Sequence, residues 1–311
     1  MRHFLSSDDL SVDEQRSLIA GAIEQKVSGE PYPRILEGKS VGLIFEKPST
    51  RTRISFEAAV YEMGGHPVAV RGDELQLGRG ETLEDTGRVL SRYLAALVVR
   101  TFGQDRLEGL ADAATIPVIN ALSDMEHPCQ ALGDVMTITE RFGDLSEIKL
   151  AFLGEGNNVC HSLLLAGAKA GLSIISVACP KGFEPVEPIV EEATSIGSET
   201  GCKIEIGNDA DEASRAANTV YTDVWTSMGW ESEAGERVKA FAPFQLSARR
   251  LALAAPNAIA MHCLPAHRGE EIAAQVIDGP QSAVWDQAEN RLHVQKALLK
   301  WLMAHSGKHH P

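Results

Sequence analysis

The segment VGLIFEKPSTRTRISFE (residues 41–57) has the pattern of a strand, a short turn and the start of a helix. Its first residues are mostly apolar, as in a strand whose two faces are both covered. A helix start is predicted at Ser49 or Thr50, because hydroxyl side chains cap helices well. Apolar residues then recur at helical spacing, at Ile54, Ala58 and Tyr61. The segment therefore predicts one strand–helix unit of a parallel sheet covered by helices.

Similar apolar segments recur along the whole chain. With 41–46 they are 66–70, 96–100, 117–121, 149–154, 172–179, 203–207, 219–224 and 258–263. Strands of this kind, separated by helix-length stretches, predict an α/β fold with doubly wound parallel sheets. At 311 residues the chain exceeds the roughly 100–200 residues of one domain, so we expect two such domains. The predicted boundary lies near 141–149, where a helix ends at Gly143 and a new strand begins.

The composition excludes several classes of protein. Apolar residues make up 44% of the chain and charged residues 23%, as in an ordinary globular protein. The formal net charge is -14, so bulk attraction to nucleic acid or to anionic lipid is not expected. An anionic ligand would have to be bound by a local group of positively charged side chains.

Cysteine usage and the N-terminus favour a cytoplasmic protein. The five cysteines, at 129, 160, 179, 202 and 263, are odd in number and lack metal-ligand spacing, so we expect reduced thiols and no metal site. The first residues are polar and acidic, unlike a signal peptide. No run of about 18 apolar residues is present to cross a membrane.

Residues PSTRTR (48–53) form a candidate anion site. At a helix N-terminus the unpaired N–H groups and the helix dipole favour an anion. Hydroxyl donors and a forked guanidinium would convert this preference into a phosphate site. The alternative is a serine cap followed by arginines that are simply solvated.

Two arginines elsewhere are candidates to join this site. Arg100 ends the apolar strand ALVVR, and open parallel sheets bind their ligands at the carboxyl ends of strands. Its alternative role is a surface ion pair. Arg291, in ENRLHVQK (289–296), has a weaker claim from its local sequence.

The stretch SDMEHPCQALGD (123–134) predicts a helix start at Pro128, because proline is favoured as the first helical residue. His127 and Gln130 are then expected to face outward. The helix dipole would lower the pKa of His127, so that the neutral ring can donate a hydrogen bond to a developing negative oxygen. The alternative is a helix cap that happens to use histidine.

GEGNNVCHS (154–162) resembles a dinucleotide-binding turn, but Val159 replaces the last glycine of GxGxxG. The pattern is therefore weak evidence for NAD. Asn157 and Asn158 would equally suit an α-carboxylate at a helix start, and a structural turn is the remaining interpretation.

Two further candidates stand at strand ends. Asp223, in DVWTSMG (223–229), is placed to pair with an ammonium group, and Ser227 could complete its surroundings. Cys263, in MHCLPAHRGEE (261–271), suggests a nucleophile. The adjacent His262 should point to the opposite face of the strand and is not expected to be its base. A buried bystander thiol is the alternative for Cys263.

Four of these motifs, in this order, resemble the ornithine carbamoyltransferases of the aspartate/ornithine carbamoyltransferase superfamily. They are FEKPSTRTRISFE (45–57), HPCQ (127–130), DVWTSMG and HCLP (262–265). The similarity extends from about residue 38 to 303, and LQLGRGETLEDT (75–86) and ENRLHVQK are part of it. Glu155 departs from the aspartate that many members carry in GDGNN.

The resemblance implies a fold of two doubly wound parallel-sheet domains with the active site in the cleft between them. Residues 1–140 would bind carbamoyl phosphate, with the C-terminal helix 288–311 packed on this domain, and residues 141–287 would bind ornithine. It also implies that Gln76 acts from a neighbouring subunit, in a homotrimer or a multiple of trimers.

The resemblance assigns a role to each matching residue. The residues implied to hold the phosphate are Ser49, Thr50, Arg51, Thr52, Arg100 and Gln76. Those implied to address the carbamoyl group are His127, Gln130, Arg291 and the backbone of Cys263 and Leu264. Those implied to hold ornithine are Asn158, Asp223, Ser227 and the Met228 backbone. Cys263, His127 and Arg100 are implied as catalytic residues, with Cys263 beside the reacting δ-amine.

The implied reaction joins carbamoyl phosphate to L-ornithine, giving citrulline and phosphate for arginine biosynthesis. A neutral amine attacks the carbamoyl carbon while the 226–236 loop closes, and neither a cofactor nor a metal is needed. Putrescine or acylated ornithine as the acceptor is an alternative. An NAD-dependent oxidoreductase using GEGNN and a non-catalytic phosphate-binding protein are further alternatives.

Overall fold

The computed structural model describes residues 1–75, 80–226 and 234–305. The chain forms two compact units. The first unit comprises Met1–Gly133 and Asn290–Pro311, and the second comprises Asp134–Glu289. Each unit contains one parallel β-sheet.

The first unit is built on a four-stranded sheet. Its strands are β1 (Ser40–Phe45), β2 (His66–Arg71), β3 (Ala96–Arg100) and β4 (Val118–Leu122). They lie in the order β2-β1-β3-β4 and are all parallel. The helices are α1 (Val12–Ser28), α2 (Thr50–Glu62), α3 (Leu83–Leu90) and α4 (Gln104–Ala113), and the chain leaves the unit within α5 (Pro128–Phe142).

The second unit is built on a five-stranded sheet. Its strands are β5 (Lys149–Leu153), β6 (Ile174–Ala178), β7 (Lys203–Gly207), β8 (Thr219–Thr222) and β9 (Ile259–His262). The order is β7-β6-β5-β8-β9, again all parallel. The helices are α6 (Asn158–Ala170), α7 (Glu187–Thr200), α8 (Ala210–Ser214), α9 (Ala234–Phe241), α10 (Ala248–Leu251), α11 (Ala274–Ile277) and α12 (Val284–His305), the last of which returns the chain to the first unit.

Strand order places the functional segments of each unit side by side. In the first sheet Phe45 is paired with Arg100, so the segments that follow β1 and β3 begin at the same edge. In the second sheet Leu153 is paired with Thr222, so the segments that follow β5 and β8 also begin at one edge of their sheet. Both pairs lie where the strand order reverses direction, the position at which open α/β sheets bind ligands.

The predicted fold class of two parallel-sheet α/β domains is confirmed, and each predicted strand segment overlaps an observed strand. The buried face of α2 differs from the predicted apolar stripe. Phe56 and Val60 are buried, whereas Ile54 is 59% exposed and Tyr61 75% exposed. Helical spacing alone does not tell which of two apolar stripes meets the sheet. No helix among the described residues has the length and apolarity to span a bilayer.

Candidate active site

The predicted anion site lies at the start of α2. Ser49 is the N-cap residue, and its side chain accepts a hydrogen bond from Thr52 N over 3.3 Å. Thr50 is exposed and Arg51 is half-buried in the first helical turn. Arg53 is also exposed and forms an ion pair with Glu57 at 2.8 Å. The first turn of α2 thus presents a hydroxyl and a guanidinium close to the positive end of the helix dipole.

Arg291 connects this helix start with α5. Its Nη2 donates to Thr52 Oγ1 over 3.0 Å, and its Nη1 donates to Gln130 Oε1 over 3.0 Å. All three side chains are buried. A Cβ atom on Gly133 would lie 3.1 Å from Arg291 Cγ, so glycine there permits the close approach of α5 and α12. Local sequence gave Arg291 little weight, but its two hydrogen bonds make it the link between the two motifs.

His127 lies directly before α5, as the proline predicted, but it does not face outward. His127 is 5% exposed and Gln130 is 1% exposed, so the expectation of outward-facing side chains is wrong. Burial, with the positive charges of Arg291 and Arg100, holds the pKa of His127 well below its usual value of 6.5. The ring is therefore neutral near pH 7 as expected, although burial rather than the helix dipole is the main cause.

Arg100 ends β3 at an irregular position. The register with β4 shifts between Val99 and Arg100, and such bulges redirect the side chains that follow. The carbonyl of Arg100 accepts a hydrogen bond from Glu46 N over 2.9 Å. Arg100 is therefore tied to the segment that leads from β1 to the start of α2.

Six side chains that sequence reasoning did not select hold these segments together. Lys47 forms an ion pair with Asp124, and its ammonium lies 4.4 Å from the centroid of the Phe102 ring. Glu46 accepts hydrogen bonds from Thr101 and Arg106. The charged residues Glu46 and Lys47, directly after the apolar strand, were the available signal, because a lysine that is buried at a strand end needs a partner.

The second unit brings Asp223, Cys263 and Asn157 together. Asp223 Oδ1 accepts from Cys263 Sγ over 2.9 Å and from Val224 N over 2.8 Å. Asp223 Oδ2 accepts from Asn157 Nδ2 over 2.9 Å. Asp223 is 7% exposed, and these three hydrogen bonds fix the orientation of its carboxylate at the end of β8.

One ring nitrogen of His262 lies within 4.8 Å of the Cys263 sulfur, but the ring nitrogens have partners of their own. Its Nδ1 accepts the N–H of Leu264 over 2.8 Å, and its Nε2 lies 3.2 Å from the carboxylate of Glu271. Both ring nitrogens therefore have other partners, in agreement with the prediction that His262 is not the base of Cys263. Leu264 has φ of 60°, so the His262 contact supports a backbone conformation that is rare for leucine.

The GEGNN turn is organised by Asn157. Its Oδ1 accepts from Val159 N over 3.0 Å and from Cys160 N over 3.1 Å at the start of α6. In a dinucleotide site these helix N–H groups would bind the pyrophosphate, and here a side chain already occupies them. Asn158, the predicted ornithine ligand, is the first residue of α6 and is half-buried.

Arg237 joins the segments that follow β5 and β8. Its Nε donates to Trp225 O over 2.6 Å and its Nη2 pairs with Glu155. The guanidinium also lies 5.1 Å from the centroid of the Phe183 ring. The longer side chain that this sequence carries at Glu155, in place of aspartate, is thus used to reach a buried arginine.

Two groups of described residues bring three potential metal ligands within 4.8 Å of one another. They are Asp223, His262 and Cys263, and His267, Glu270 and Glu271. The ring nitrogens of His262 already face Leu264 N–H and Glu271, so a metal at the first group would have to displace one of these contacts.

Three predicted site residues lie outside the described ranges. They are Gln76, Ser227 and Met228, and most of the predicted 226–236 loop lies there too. The remaining predicted residues fall into two groups. Ser49, Thr50, Arg51, Thr52, Arg100, His127, Gln130 and Arg291 belong to the first unit, and Asn158, Asp223, Cys263 and Leu264 belong to the second.

Two family models match almost the whole chain. The carbamoyl-P binding domain of aspartate/ornithine carbamoyltransferase matches residues 2–140, and the Asp/Orn binding domain matches residues 146–302. The chain is 56% identical over 305 residues to the ornithine carbamoyltransferase of Parafrankia sp. (strain EAN1pec), which covers 97% of this chain and 96% of that one.

Similar solved structures agree with these matches. The ornithine carbamoyltransferase from Pyrococcus furiosus is 48% identical with a TM-score of 0.94, covering 98% of this chain and 97% of that one. The anabolic ornithine carbamoyltransferase from Campylobacter jejuni is 39% identical with a TM-score of 0.91, covering 97% of this chain and 99% of that one.

Proposed function

The chain belongs to the aspartate/ornithine carbamoyltransferase family, and we propose from this that it transfers the carbamoyl group of carbamoyl phosphate to the δ-amine of L-ornithine. The products are L-citrulline and phosphate, and the enzyme class is EC 2.1.3.3. The reaction serves arginine biosynthesis. The observation that carries the ornithine assignment is the buried Asp223 carboxylate, which accepts a hydrogen bond from the Cys263 thiol at the end of the adjacent strand.

The phosphate of carbamoyl phosphate binds at the start of α2. Thr50 and Arg51 contact it from the first helical turn, with Ser49 and Thr52 contributing N–H or hydroxyl groups and Arg100 a second guanidinium. A forked guanidinium matches phosphate geometry, and the helix dipole adds to the attraction. In an acidic protein this local cation group accounts for anion binding without any bulk positive charge.

His127, Gln130 and Arg291 address the carbamoyl group. Negative charge grows on the carbamoyl oxygen as the amine attacks, and a donor held in place before reaction stabilises this charge. The neutral ring of His127 has one N–H group, which donates the hydrogen bond to this oxygen. The buried Arg291 donates to Thr52 and Gln130, which hold its guanidinium in place. Its positive charge adds to the stabilisation of the carbamoyl oxygen, while the direct hydrogen bond to that oxygen comes from His127.

Ornithine binds through its α-amino and α-carboxylate groups in the second unit. Asp223 pairs with the α-ammonium, and Asn158 at the start of α6 binds the α-carboxylate, together with Ser227 and the Met228 backbone. Asn157 is already committed to Asp223 and to the helix start, which favours Asn158 as the contact to substrate. Cys263 and the Leu264 backbone lie beside the δ-amine and the carbamoyl group.

The chemistry requires a neutral δ-amine, because the protonated amine has no lone pair with which to attack. Asp223 and Cys263 are the groups best placed to influence the protonation of this amine. Holding the two substrates in attack geometry contributes on the order of 7–11 kcal/mol to lowering the barrier. The bond between the carbamoyl carbon and the bridging oxygen then breaks, and phosphate leaves from the start of α2 with the proton that the attacking nitrogen loses.

We also propose that the protein acts in the cytoplasm as a homotrimer or a multiple of trimers. The exposed Ile54 and Tyr61, one above the other on α2, are the kind of apolar pair that a subunit interface buries. A trimer would let Gln76 of one subunit reach the phosphate of another. Light scattering on the purified protein tests the stoichiometry, and a monomer at micromolar concentration would contradict it.

Citrulline formation tests the function directly. The assay combines carbamoyl phosphate with ornithine, putrescine, N-acetylornithine or aspartate as separate acceptors. We expect a carbamoylated product only with ornithine. Turnover of putrescine or N-acetylornithine in its place would overturn the acceptor assignment, and the absence of turnover with every acceptor would overturn the carbamoyl transfer itself.

A further inference from the structure

The first residues of the chain continue the sheet of the first unit beyond β4. Phe4 N donates to Val118 O over 2.9 Å, and Asn120 N donates to Phe4 O over 2.7 Å. Phe4 is fully buried, and Asn120 Nδ2 donates to Leu5 O over 2.8 Å. The N-terminal segment, defined as Phe4–Ser7, is therefore an integral part of this sheet rather than a surface tail.

The last two residues of the N-terminal segment donate hydrogen bonds to the carboxylate of Glu126. Ser6 Oγ donates to Glu126 Oε1 over 2.5 Å, and Ser7 N donates to Glu126 Oε2 over 2.9 Å. Glu126 is only 3% exposed, and a buried carboxylate is tolerated only where donors replace its lost water. Residues that are some 120 positions apart in sequence thus fix one another.

Glu126 in turn belongs to the turn that carries His127. Ser123 N donates to Glu126 O over 2.8 Å, and Glu126 N donates to Ser123 Oγ over 3.1 Å. On the other side, His127 O accepts the N–H of Gln130 over 3.0 Å at the start of α5. The backbone is therefore bonded before and after His127, and the position of its ring depends on where Glu126 is held.

We propose that the N-terminal segment and Glu126 are positioning elements for His127. Glu126 is a positioning residue, because its carboxylate contacts Ser6 and Ser7 and acts on the reaction only through His127. The role of His127 in the reaction rests on the proposed function, whereas its position relative to Glu126 comes from the structure alone. Displacement of a reacting group by about 1 Å can cost about 10²-fold in rate, so losing these contacts reduces turnover without removing any catalytic group.

The test uses Glu126→Gln, Ser6→Ala and the double variant in the full chain. Glu126→Gln keeps the shape but removes the charge, so Ser7 N donates to a neutral oxygen and the Ser6 hydroxyl has to turn and accept from the amide NH2. Glu24→Gln is the matched control, because Glu24 is exposed on α1 and undergoes the same chemical change. The measurements are kcat, the KM of each substrate, and the histidine ring resonances in NMR spectra, with His127→Gln used to assign the His127 signal.

We expect Glu126→Gln and Ser6→Ala each to lower kcat/KM for carbamoyl phosphate about tenfold and to shift the His127 resonance, with the KM for ornithine unchanged. The double variant should be no worse than Glu126→Gln alone, since both changes act on one contact. His161 and His262 resonances should stay in place, and Glu24→Gln should match the wild type.

Folded variants with a wild-type His127 resonance and wild-type kcat/KM would overturn the inference. A uniform loss of thermal stability with unchanged kinetics would also overturn it, because that is the signature of a purely structural role. If the wild type forms no citrulline, the proposed function fails, and the His127 resonance alone then decides the positioning. If Glu126→Gln does not fold, Ser6→Ala carries the same measurements.

Discussion

The Cys263 thiol donates a hydrogen bond of 2.9 Å to Oδ1 of Asp223, although the two residues are 40 positions apart in sequence. The contact exists because β8 and β9 are neighbours in the second sheet, so that their carboxyl ends meet. Asn157, from the turn after β5, donates to the other oxygen of the same carboxylate. Three motifs that look independent in the sequence therefore form one hydrogen-bonded group.

Asp223→Asn should weaken ornithine binding and leave carbamoyl phosphate binding intact. The amide removes the negative charge and places a donor against Cys263 or Asn157, and losing one partner of a buried charged hydrogen bond costs about 2–5 kcal/mol. We therefore expect kcat/KM for ornithine to fall about 10²-fold or more. Calorimetry with each ligand checks the selectivity, with Glu191→Gln on the exposed face of α7 as the control. Equal loss of both ligands would contradict the assignment.

Arg291→Lys should impair carbamoyl phosphate use even though the positive charge is kept. A lysine cannot fork to Thr52 and Gln130 together, and each hydrogen bond from a charged donor is worth about 1.5–3 kcal/mol. The expected result is a drop of about ten- to a hundredfold in kcat/KM for carbamoyl phosphate. Arg53→Lys, at an exposed ion pair on α2, should have no such effect. Indistinguishable kinetics for the two variants would argue against Arg291 as a linking residue.

The stability of the protein should depend on pH through His127. Its native pKa lies below the unfolded value of about 6.5, so between the two the unfolded chain binds the extra proton. The free energy of unfolding is therefore unaffected by this group above pH 6.5 and falls as the pH drops below it, by up to about 1.4 kcal/mol per pH unit. Urea unfolding of the wild type and of His127→Gln between pH 5 and 8 isolates this contribution. Parallel curves for the two proteins would show that His127 keeps an ordinary pKa.

Gly156→Ala should destabilise the second unit severely. A Cβ atom at this position would lie 2.0 Å from Pro185 N, a contact that only a backbone shift can relieve. Overpacking of this kind typically costs about 1–3 kcal/mol and sometimes more. Gly207→Ala is the control, because nothing lies within 4 Å of the added Cβ there. Thermal unfolding should show a lower Tm for Gly156→Ala alone, and equal values would contradict the close packing of this turn.

Arg237→Ala should lower the free energy of unfolding far more than Arg268→Ala does. The Arg237–Glu155 pair is largely buried, with the guanidinium side chain 5% exposed, whereas Arg268–Asp278 is 43% and 51% exposed. Breaking a buried pair costs about 3–5 kcal/mol, and an exposed pair is worth about 0–1 kcal/mol. Because Arg237 also holds Trp225 O beside Asp223, the KM for ornithine should rise in the same variant. Unfolding curves and ornithine kinetics on both variants test the two parts of this expectation.

The sequence was sufficient for the fold class and for most candidate residues because both depend on local patterns. Apolar strands separated by helix-length segments have few folded solutions, and parallel sheets covered by helices are the common one. Ser49 at the helix cap and Pro128 at the first turn of α5 are signals read from a few neighbouring residues. The four ordered motifs then supplied the family resemblance, which the family models confirmed.

The tertiary structure decided which way the side chains point and which residues they contact. His127 was expected to face outward and is buried, because whether a helix start points to solvent depends on what packs over it. Arg291 had little weight in its own sequence context, yet it donates to two residues more than 150 positions away. The part played by Glu126 and the first residues of the chain was likewise invisible, since only strand order brings Ser6 to that carboxylate. Sequence determined which chemical groups the protein carries, and long-range packing determined which of them meet, because contacts between distant residues are fixed by the sheet and not by spacing along the chain.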